Sequence, residues 1–257
     1  MSTEEIFNLN DKVSFISGAS SGIGRHLAGV LARAGSAVAL AARRQDKIEA
    51  AVDELVADGL RACAVQMDVT KTSTIAPAFD AAEKALGRPV DVLLNNAGVI
   101  YMKKFIDQEE AEVEQLLNTN LKGSFLVAQE AGRRMAESGG GAIVNVASTA
   151  GLRAAGYLSS YAASKAALIR LTEVMALELA YKKVRVNVLC PGNIETDMLQ
   201  TFTDSGIEES VLKRIPQRRF GKPDDLDGAV LLMASDAGRY MTGATVTIDG
   251  GQALSWM

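Results

Sequence analysis

Short, nearly continuous apolar runs alternate along this chain with longer stretches whose apolar residues recur every three or four positions. The runs Val13–Ser17, Ala37–Ala42, Ala62–Gln66, Val92–Leu94, Ala142–Val146, Val184–Leu189 and Thr245–Ile248 have the length and composition of buried strands. Between them the spacing predicts helices over Gly22–Ala34, over Gln45–Ala57, within Lys71–Leu86, over most of Gln108–Met135, over Tyr157–Ala180 and near Pro223–Ser235. Strands apolar along their whole length, separated by helices, predict a parallel sheet covered on both faces. The expectation is an α/β protein with a doubly wound, seven-stranded parallel sheet. No repeat or low-complexity linker interrupts the pattern, so residues 1–257 read as a single domain. In such sheets the ligand crevice lies at the carboxyl ends of the strands. The unusual segments of the chain fall there: a glycine-rich turn, Asn95-Asn96-Ala97-Gly98, Ser148 and Pro191-Gly192.

The turn Ser17-Gly18-Ala19-Ser20-Ser21-Gly22-Ile23-Gly24 closes the first strand and opens the first helix. Glycines there permit positive φ and close backbone approach, and the helix N-terminus offers free N–H groups to a pyrophosphate. Its Gly-x-x-x-Gly-x-Gly spacing differs from the commoner Gly-x-Gly-x-x-Gly. At the end of the second strand, where adenosine ribose is read, Ala42 stands in place of an acid and Arg43-Arg44 follow. Guanidinium suits a 2′-phosphate and stacks on adenine, which favours NADP(H), with NAD(H) as the alternative. Asp68-Val69, after the third strand, is placed to border the adenine; Asp68 is equally suited to cap a helix beside Thr70.

Tyr161-Ala-Ala-Ser-Lys165 puts a phenol and an ammonium four apart on one helix face. A phenol with an ordinary pKa of about 10 is a poor acid–base group at neutral pH. A nearby ammonium lowers that value, so the pair is expected to make Tyr161 a usable proton donor and acceptor. Ser148, from another element, is placed to donate to the same reacting oxygen.

Composition narrows the choices. Of 257 residues, 48 % are hydrophobic and 23 % charged, as for a globular chain with a sizeable core. A net charge of −4 and a pI near 5.2 argue against a nucleic-acid binder. The polar, acidic start Met1-Ser2-Thr3-Glu4-Glu5 does not read as a signal peptide, and no apolar run is long enough for a membrane span. Two cysteines, Cys63 and Cys190, suit buried thiols in a reducing cytoplasm. One histidine, His26, leaves no basis for a metal centre or a histidine-dependent hydrolase triad.

The ordered set Gly18/Gly22/Gly24, Asp68, Asn95-Asn96-Ala97-Gly98, Asn120, Ser148, Tyr161/Lys165, Pro191-Gly192 and Asp249-Gly250-Gly251 resembles the short-chain dehydrogenase/reductase family along nearly the whole chain. The resemblance implies a single Rossmann-like domain and a catalytic tetrad. Tyr161 would be the general acid in carbonyl reduction and the base in alcohol oxidation. Lys165 would lower the tyrosine pKa and bind the nicotinamide ribose, and Ser148 would polarise the carbonyl. Asn120 would hold a water linking Lys165 to solvent, a side-chain role in kinking or capping the helix being the alternative. The cofactor would lie on Gly18, Ser20, Ser21, Gly22, Ile23, Gly24, Arg43, Arg44, Asp68, Val69, Asn95, Ala97 and Gly98, with Tyr161 and Lys165. Pro191, Gly192, Ile194 and Thr196 would wrap the nicotinamide and diphosphate.

The same resemblance makes residues 197–221, including Met198, Leu199, Phe202, Ile207, Val211 and Leu212, a substrate lid. Thr149–Ser160, with Leu152, Tyr157 and Leu158, would line the opposite side. Trp256 belongs either at a subunit contact or in a frayed terminus. A cytoplasmic homotetramer is implied, with no nucleic-acid or membrane partner. The expected activity is NADP(H)-dependent interconversion of a ketone and a secondary alcohol on a small molecule. A 3-oxoacyl-carrier-protein reductase is the alternative; such enzymes usually carry a basic docking residue where this chain has Leu177 and Glu178. An alternative of another class is a non-catalytic NADP(H)-sensing or scaffold module, disfavoured by the intact tetrad.

Overall fold

The computed structural model describes residues 3–196 and 208–254. Its strands are β1 (Val13–Ser17), β2 (Ala37–Ala42), β3 (Ala62–Gln66), β4 (Val92–Asn95), β5 (Gly141–Val146), β6 (Val184–Pro191) and β7 (Thr245–Ile248). They form one seven-stranded sheet in the order β3-β2-β1-β4-β5-β6-β7, every neighbouring pair parallel. The order reverses at β1, whose carboxyl end and that of β4 therefore open a crevice between connections leaving on opposite faces.

Alternating side chains feed two separate cores, because successive strand residues point to opposite faces. On one face Ile16, Leu40, Leu94 and Val144 pack with Leu27 and Leu31 of α2 (Gly22–Arg33), Ile48 of α3 (Gln45–Ala57) and Val230 and Met233 of a later helix, Asp227–Ala234. On the other, Phe15, Leu93 and Ile143 pack with Phe79 of α4 (Ile75–Leu86) and with Val127, Ala131 and Met135 of Ser124–Ser138. Phe15 and Phe79 stack at 4.1 Å between ring centroids. On that face β2 presents only Ala37, Ala39 and Ala41, which leaves room for the two rings and for α4.

The long helical stretch expected over Gln108–Met135 is divided. It comprises α5 (Glu110–Leu117), a π-helical turn (Asn118–Gly123) and α6 (Ser124–Ser138). The wide turn has a local cause: the buried Asn120 amide donates to the Val99 carbonyl and accepts from the Val99 N–H, both at 2.8 Å. Gly123 also lies so close to Val69 that a Cβ would sit 2.9 Å from the Val69 carbonyl oxygen. A short helix, α1 (Thr3–Phe7), was not anticipated, and Lys71–Leu86 begins with a 3₁₀ turn at Thr72–Thr74 before α4. The helix after β5, α7 (Ser159–Leu179), starts later than expected. Tyr157 stands outside it at φ 66°, its carbonyl accepting from the Lys103 N–H at 3.0 Å. Helices α8 (Glu208–Arg214) and α9 (Asp227–Ala234) are the remaining ones among the described residues. The sole histidine, His26 of α2, hydrogen-bonds Asp227 of α9 at 2.7 Å.

One buried polar row crosses the sheet. Ser17, Asn95 and Asn145 are register partners on β1, β4 and β5. The Ser17 hydroxyl donates to Asn95 Oδ1, Asn95 Nδ2 to Asn145 Oδ1 at 2.9 Å, and Asn145 Nδ2 to Thr172 Oγ1 of α7 at 2.9 Å. Replacing Asn145 by leucine strands a donor on Asn95 and an acceptor on Thr172, a loss of about 2–4 kcal/mol. Urea unfolding of Asn145→Leu should show that loss as a lower midpoint at unchanged slope; an unchanged midpoint would mean that the row contributes nothing to stability.

Candidate active site

A cleft of about 950 Å³ runs along the carboxyl edge of the sheet. At its first end the glycine-rich turn makes a cradle that side chains would fill. Gly18 has φ 71°, and a Cβ there would lie 2.7 Å from Ala97 Cα; a Cβ on Gly24 would lie 2.5 Å from the Gly18 carbonyl oxygen. Ser21, the residue preceding α2, makes no side-chain capping bond, so the first N–H groups of α2 face the cleft without an internal acceptor. A diphosphate fits this cradle by charge and by shape. Gly18, Ser20, Ser21, Gly22 and Ile23 line the cleft, whereas Gly24 is buried behind it and acts by permitting the close packing of turn on helix.

The two arginines after β2 have different surroundings. Arg44 folds back over the turn, donating to the Ser20 hydroxyl at 2.7 Å and to the Ser21 hydroxyl at 2.9 Å. It braces the cradle, and Arg43 is the better placed to meet a ligand. Asp68 and Val69 line the same end. Burial works to raise the Asp68 carboxyl, but the Thr70 hydroxyl and N–H, with the charges of Arg43 and Lys71, bring it below its ordinary value. Asp68 Oδ1 holds Thr70 N at 3.0 Å and Thr70 Oγ1 at 2.7 Å, so its side chain closes a turn and does not cap a helix, the helical residues beginning only at Thr72 after Lys71.

After β4, Asn95 departs from its assignment as a cofactor contact. Its side chain is buried in the polar row and does not line the cleft; Asn96, Ala97 and Gly98 do. The reason is strand alternation: Asn95 shares the inward face with Ser17 and Asn145, and Asn96 turns outward. The Ser17 hydroxyl accepts from Asn96 N and Ala97 N, fixing the backbone of the turn.

Ser148, Tyr161 and Lys165 come together on the wall of the cleft. Ser148 follows β5 and accepts from Ala150 N at 3.1 Å, which leaves its hydroxyl proton to bond the Tyr161 phenol. Tyr161 and Lys165 share a face of α7, with Lys165 Nζ 5.6 Å from the tyrosine ring centroid. The lysine donates to the Val146 carbonyl at 2.8 Å. Burial depresses its amine to about 8. Burial likewise raises the phenol above its ordinary value, the Ser148 bond and the Cys190 thiol entering as opposed smaller effects. The four-residue spacing leads to the expectation of a lowered tyrosine; burial, the largest influence on the phenol, acts the other way and leaves it above its ordinary value. Asn120 is also not a cleft residue. Its side-chain amide both donates to and accepts from the Val99 backbone, which fits the kinking role anticipated as the alternative.

Pro191, Gly192, Ile194 and Thr196 line the cleft beyond β6. Of the expected lid, residues 197–207 lie outside the described residues, as does Trp256; α8 supplies Glu208, Ser210, Val211 and Arg214 to the wall. The opposite wall carries Arg153, Tyr157 and Leu158 from Thr149–Ser160, with Ile100 and Met102. Gln252 and Ala253 also reach the cleft, a placement with no advance signal because their position depends on how the C-terminal turn packs on Gly192. Among the described residues, no cluster of three or more His, Cys, Asp or Glu is arranged to hold a metal ion.

Residues 18–253 match the protein family described as enoyl-(acyl carrier protein) reductase. An NAD-dependent glycerol dehydrogenase of Listeria innocua is 36 % identical over 248 residues, 96 % of each chain. A 3-oxoacyl-[acyl-carrier-protein] reductase of Staphylococcus epidermidis is 36 % identical over 245 residues, 95 % of this chain and 100 % of the relative. Among solved structures, a gluconate 5-dehydrogenase from Burkholderia cenocepacia, in complex with NADP and tartrate, is similar with a TM-score of 0.95 and 31 % identity, covering 99 % of this chain and 100 % of that one. Similarity that runs from end to end, to dehydrogenases and a reductase alike, joins the cradle and the Ser–Tyr–Lys cluster to one conclusion: this chain belongs to the short-chain dehydrogenase/reductase family and is an oxidoreductase acting on CH–OH groups with a nicotinamide cofactor.

Proposed function

We propose that the protein interconverts a ketone and a secondary alcohol on a small molecule, using NADP(H) and Tyr161 as general acid and base. The observation that carries the reading is the meeting of Ser148, Tyr161 and Lys165 on the wall of the cleft whose other end is the glycine cradle. The cofactor, when bound, supplies or accepts the hydride. Ser148 and Tyr161 hold the substrate oxygen, and Tyr161 gives it a proton as negative charge develops there. A phenol raised by burial remains protonated at neutral pH, so the free enzyme is poised as an acid. Lys165 supplies positive charge behind the phenol and lies beside Gly98, where a Cβ would come 3.6 Å from its Nζ.

The NADP(H) preference is supported by Ala42-Arg43 after β2 and by the NADP-bound gluconate 5-dehydrogenase; the NAD-dependent glycerol dehydrogenase supports NAD(H) instead. A 3-oxoacyl-carrier-protein reductase remains the second reading because a relative of that name covers the whole chain. Against it, Leu177 is 82 % exposed late in α7, where a carrier protein would need a basic contact. Exposed Val174, Leu177 and Tyr181 support self-association through α7, as in a homotetramer. The unpaired thiols suit a cytoplasmic setting, and no helix among the described residues is long and apolar enough to cross a membrane.

Tyr161→Phe should lower turnover of NADPH with ketones by about 10²–10⁴-fold while NADPH still binds, as read by nucleotide fluorescence. Turnover near wild type would remove Tyr161 from the chemistry. Arg43→Ala should weaken NADPH far more than NADH in the same titration; equal losses would show that Arg43 does not read the 2′-phosphate.

The buried lysine also makes a prediction for stability. Its amine sits near 8 in the folded chain against an ordinary 10.5, so the unfolded chain holds that proton more tightly. The cost is fully present below about pH 8 and is relieved as the pH rises towards 10.5. The urea midpoint of wild type, measured relative to Lys165→Met, should therefore climb between about pH 7.5 and 9.5. A difference independent of pH would place the ammonium in water.

A further inference from the structure

Among the described residues, Asp11, Tyr157, Lys183 and Arg218 have positive φ without being glycine, and of these Tyr157 lines the cleft. Left-handed backbone crowds a Cβ, and glycine or asparagine adopts it at lower cost. The bond that restrains the position, from Lys103 N–H to the Tyr157 carbonyl at 3.0 Å, uses backbone alone and forms with any side chain. Nor does the core require the ring, which is 55 % exposed and lies outside every buried cluster. A costly conformation, kept by a side chain that neither the turn nor the core needs, points to a use in the cleft.

The ring is firmly attached to the catalytic helix. Leu158, the next residue, opens α7 and accepts from Ala162 N at 2.7 Å. Leu158 packs with Tyr161, Ile100, Met102 and Ala155 in one apolar cluster on the cleft wall. The Lys103 bond ties Tyr157 to the other side of that cluster, one residue past Met102. Two segments thus hold Tyr157 at the edge of an apolar surface that continues to the catalytic tyrosine.

We propose that Tyr157 is a specificity-determining residue, a fixed platform for a ketone that carries an apolar ring while Ser148 and Tyr161 hold its oxygen. The proposal rests on the ketone–alcohol reading above and deepens it by naming the substrate class. A tyrosine offers a large contact face on only two rotatable bonds, and that face packs favourably against a second ring. Covering it together with the Ile100 and Met102 wall removes apolar surface from water, which a small or strongly polar ketone does not do. A platform held in place beforehand also loses little freedom when the substrate arrives.

The test compares 4-phenyl-2-butanone with 2-butanone, methyl ketones that differ only in the phenyl ring, on the NADPH-loaded enzyme. Wild type should use the phenyl ketone with at least about ten-fold higher kcat/KM. Tyr157→Asn suits the left-handed backbone and lacks the ring. It should remove most of that ratio through KM while its urea midpoint equals or exceeds that of wild type. Tyr157→Phe should keep the ratio, because the face and not the hydroxyl makes the contact. A ratio near one in wild type, or an unchanged ratio in Tyr157→Asn, would overturn the proposal. So would a lowered midpoint with equal losses on both ketones, which would give Tyr157 a purely structural role. A hydride-inert pair, 3-phenylpropanamide and propanamide, keeps the same shapes with an amide in place of the methyl ketone. Calorimetric affinity should favour the phenyl amide about ten-fold in wild type and lose that preference in Tyr157→Asn. If no ketone is reduced, the enzymatic reading fails by itself, and the amide pair still decides whether Tyr157 is a platform: the same preference in wild type and Tyr157→Asn would refute it.

Discussion

The row of hydrogen bonds from Ser17 through Asn95 and Asn145 to Thr172 is the constraint on which the site depends. Each member is almost wholly buried, and three of them occupy the same level on adjacent strands. At one end the Ser17 hydroxyl holds the N–H groups of Asn96 and Ala97, the wall of the cradle. In the middle Asn95 Nδ2 also donates to Ser124 O, where the π-helical turn becomes α6, at 2.8 Å. At the other end Thr172 sits two helical turns after Lys165 on α7 and passes its own proton to Leu168 O. Cofactor turn, π-helical turn and catalytic helix are thus tied to one level of the sheet. A buried polar chain of this kind is stable only when every member is satisfied, so it admits few relative positions of these elements.

That dependence explains which parts of the molecule were legible in the chain. Six of the strands begin where the apolar runs begin, because a strand buried on both faces must be apolar along its length and can stop only where polar or glycine residues begin. Ser148, Tyr161 and Lys165 were legible as members of the ordered set of motifs; the helical spacing of four, common on its own, only places two of them on one face. Asn95 and Asn120 show the limit. Both are polar residues beside functional motifs, and sequence gives no way to tell an amide aimed at a ligand from one aimed at a backbone. The sheet register decides the first and the Val99 bracket the second. Tyr157 was read as helical because its neighbours are; the bond from Lys103 N to its carbonyl instead holds it at positive φ, which a tyrosine adopts only under such restraint.

Electrostatics in the cleft follow from burial more than from pairing. Two ionisable groups that look like an acid–base couple in the sequence are both pushed towards their neutral forms in the structure, the lysine down and the tyrosine up. A neutral phenol is the form required to protonate a developing alkoxide. The two arginines after β2 divide in a comparable way. Arg44 spends its donors on Ser20 and Ser21, stiffening the turn, while Arg43 lines the cleft.

The far end of the cleft is assembled by the C-terminal turn. Asp249 accepts from Gly251 N at 2.8 Å and Ala253 N at 2.6 Å, closing that turn on itself. Its Cα lies where a Cβ on Gly192 would come within 2.8 Å, so only glycine after Pro191 lets the turn seat against the end of β6. Gln252 is carried into the cleft as a consequence. The motif Pro191-Gly192 and the motif Asp249-Gly250-Gly251 therefore act as two halves of one contact: a side chain at position 192 would push the turn away, and Gln252 with it.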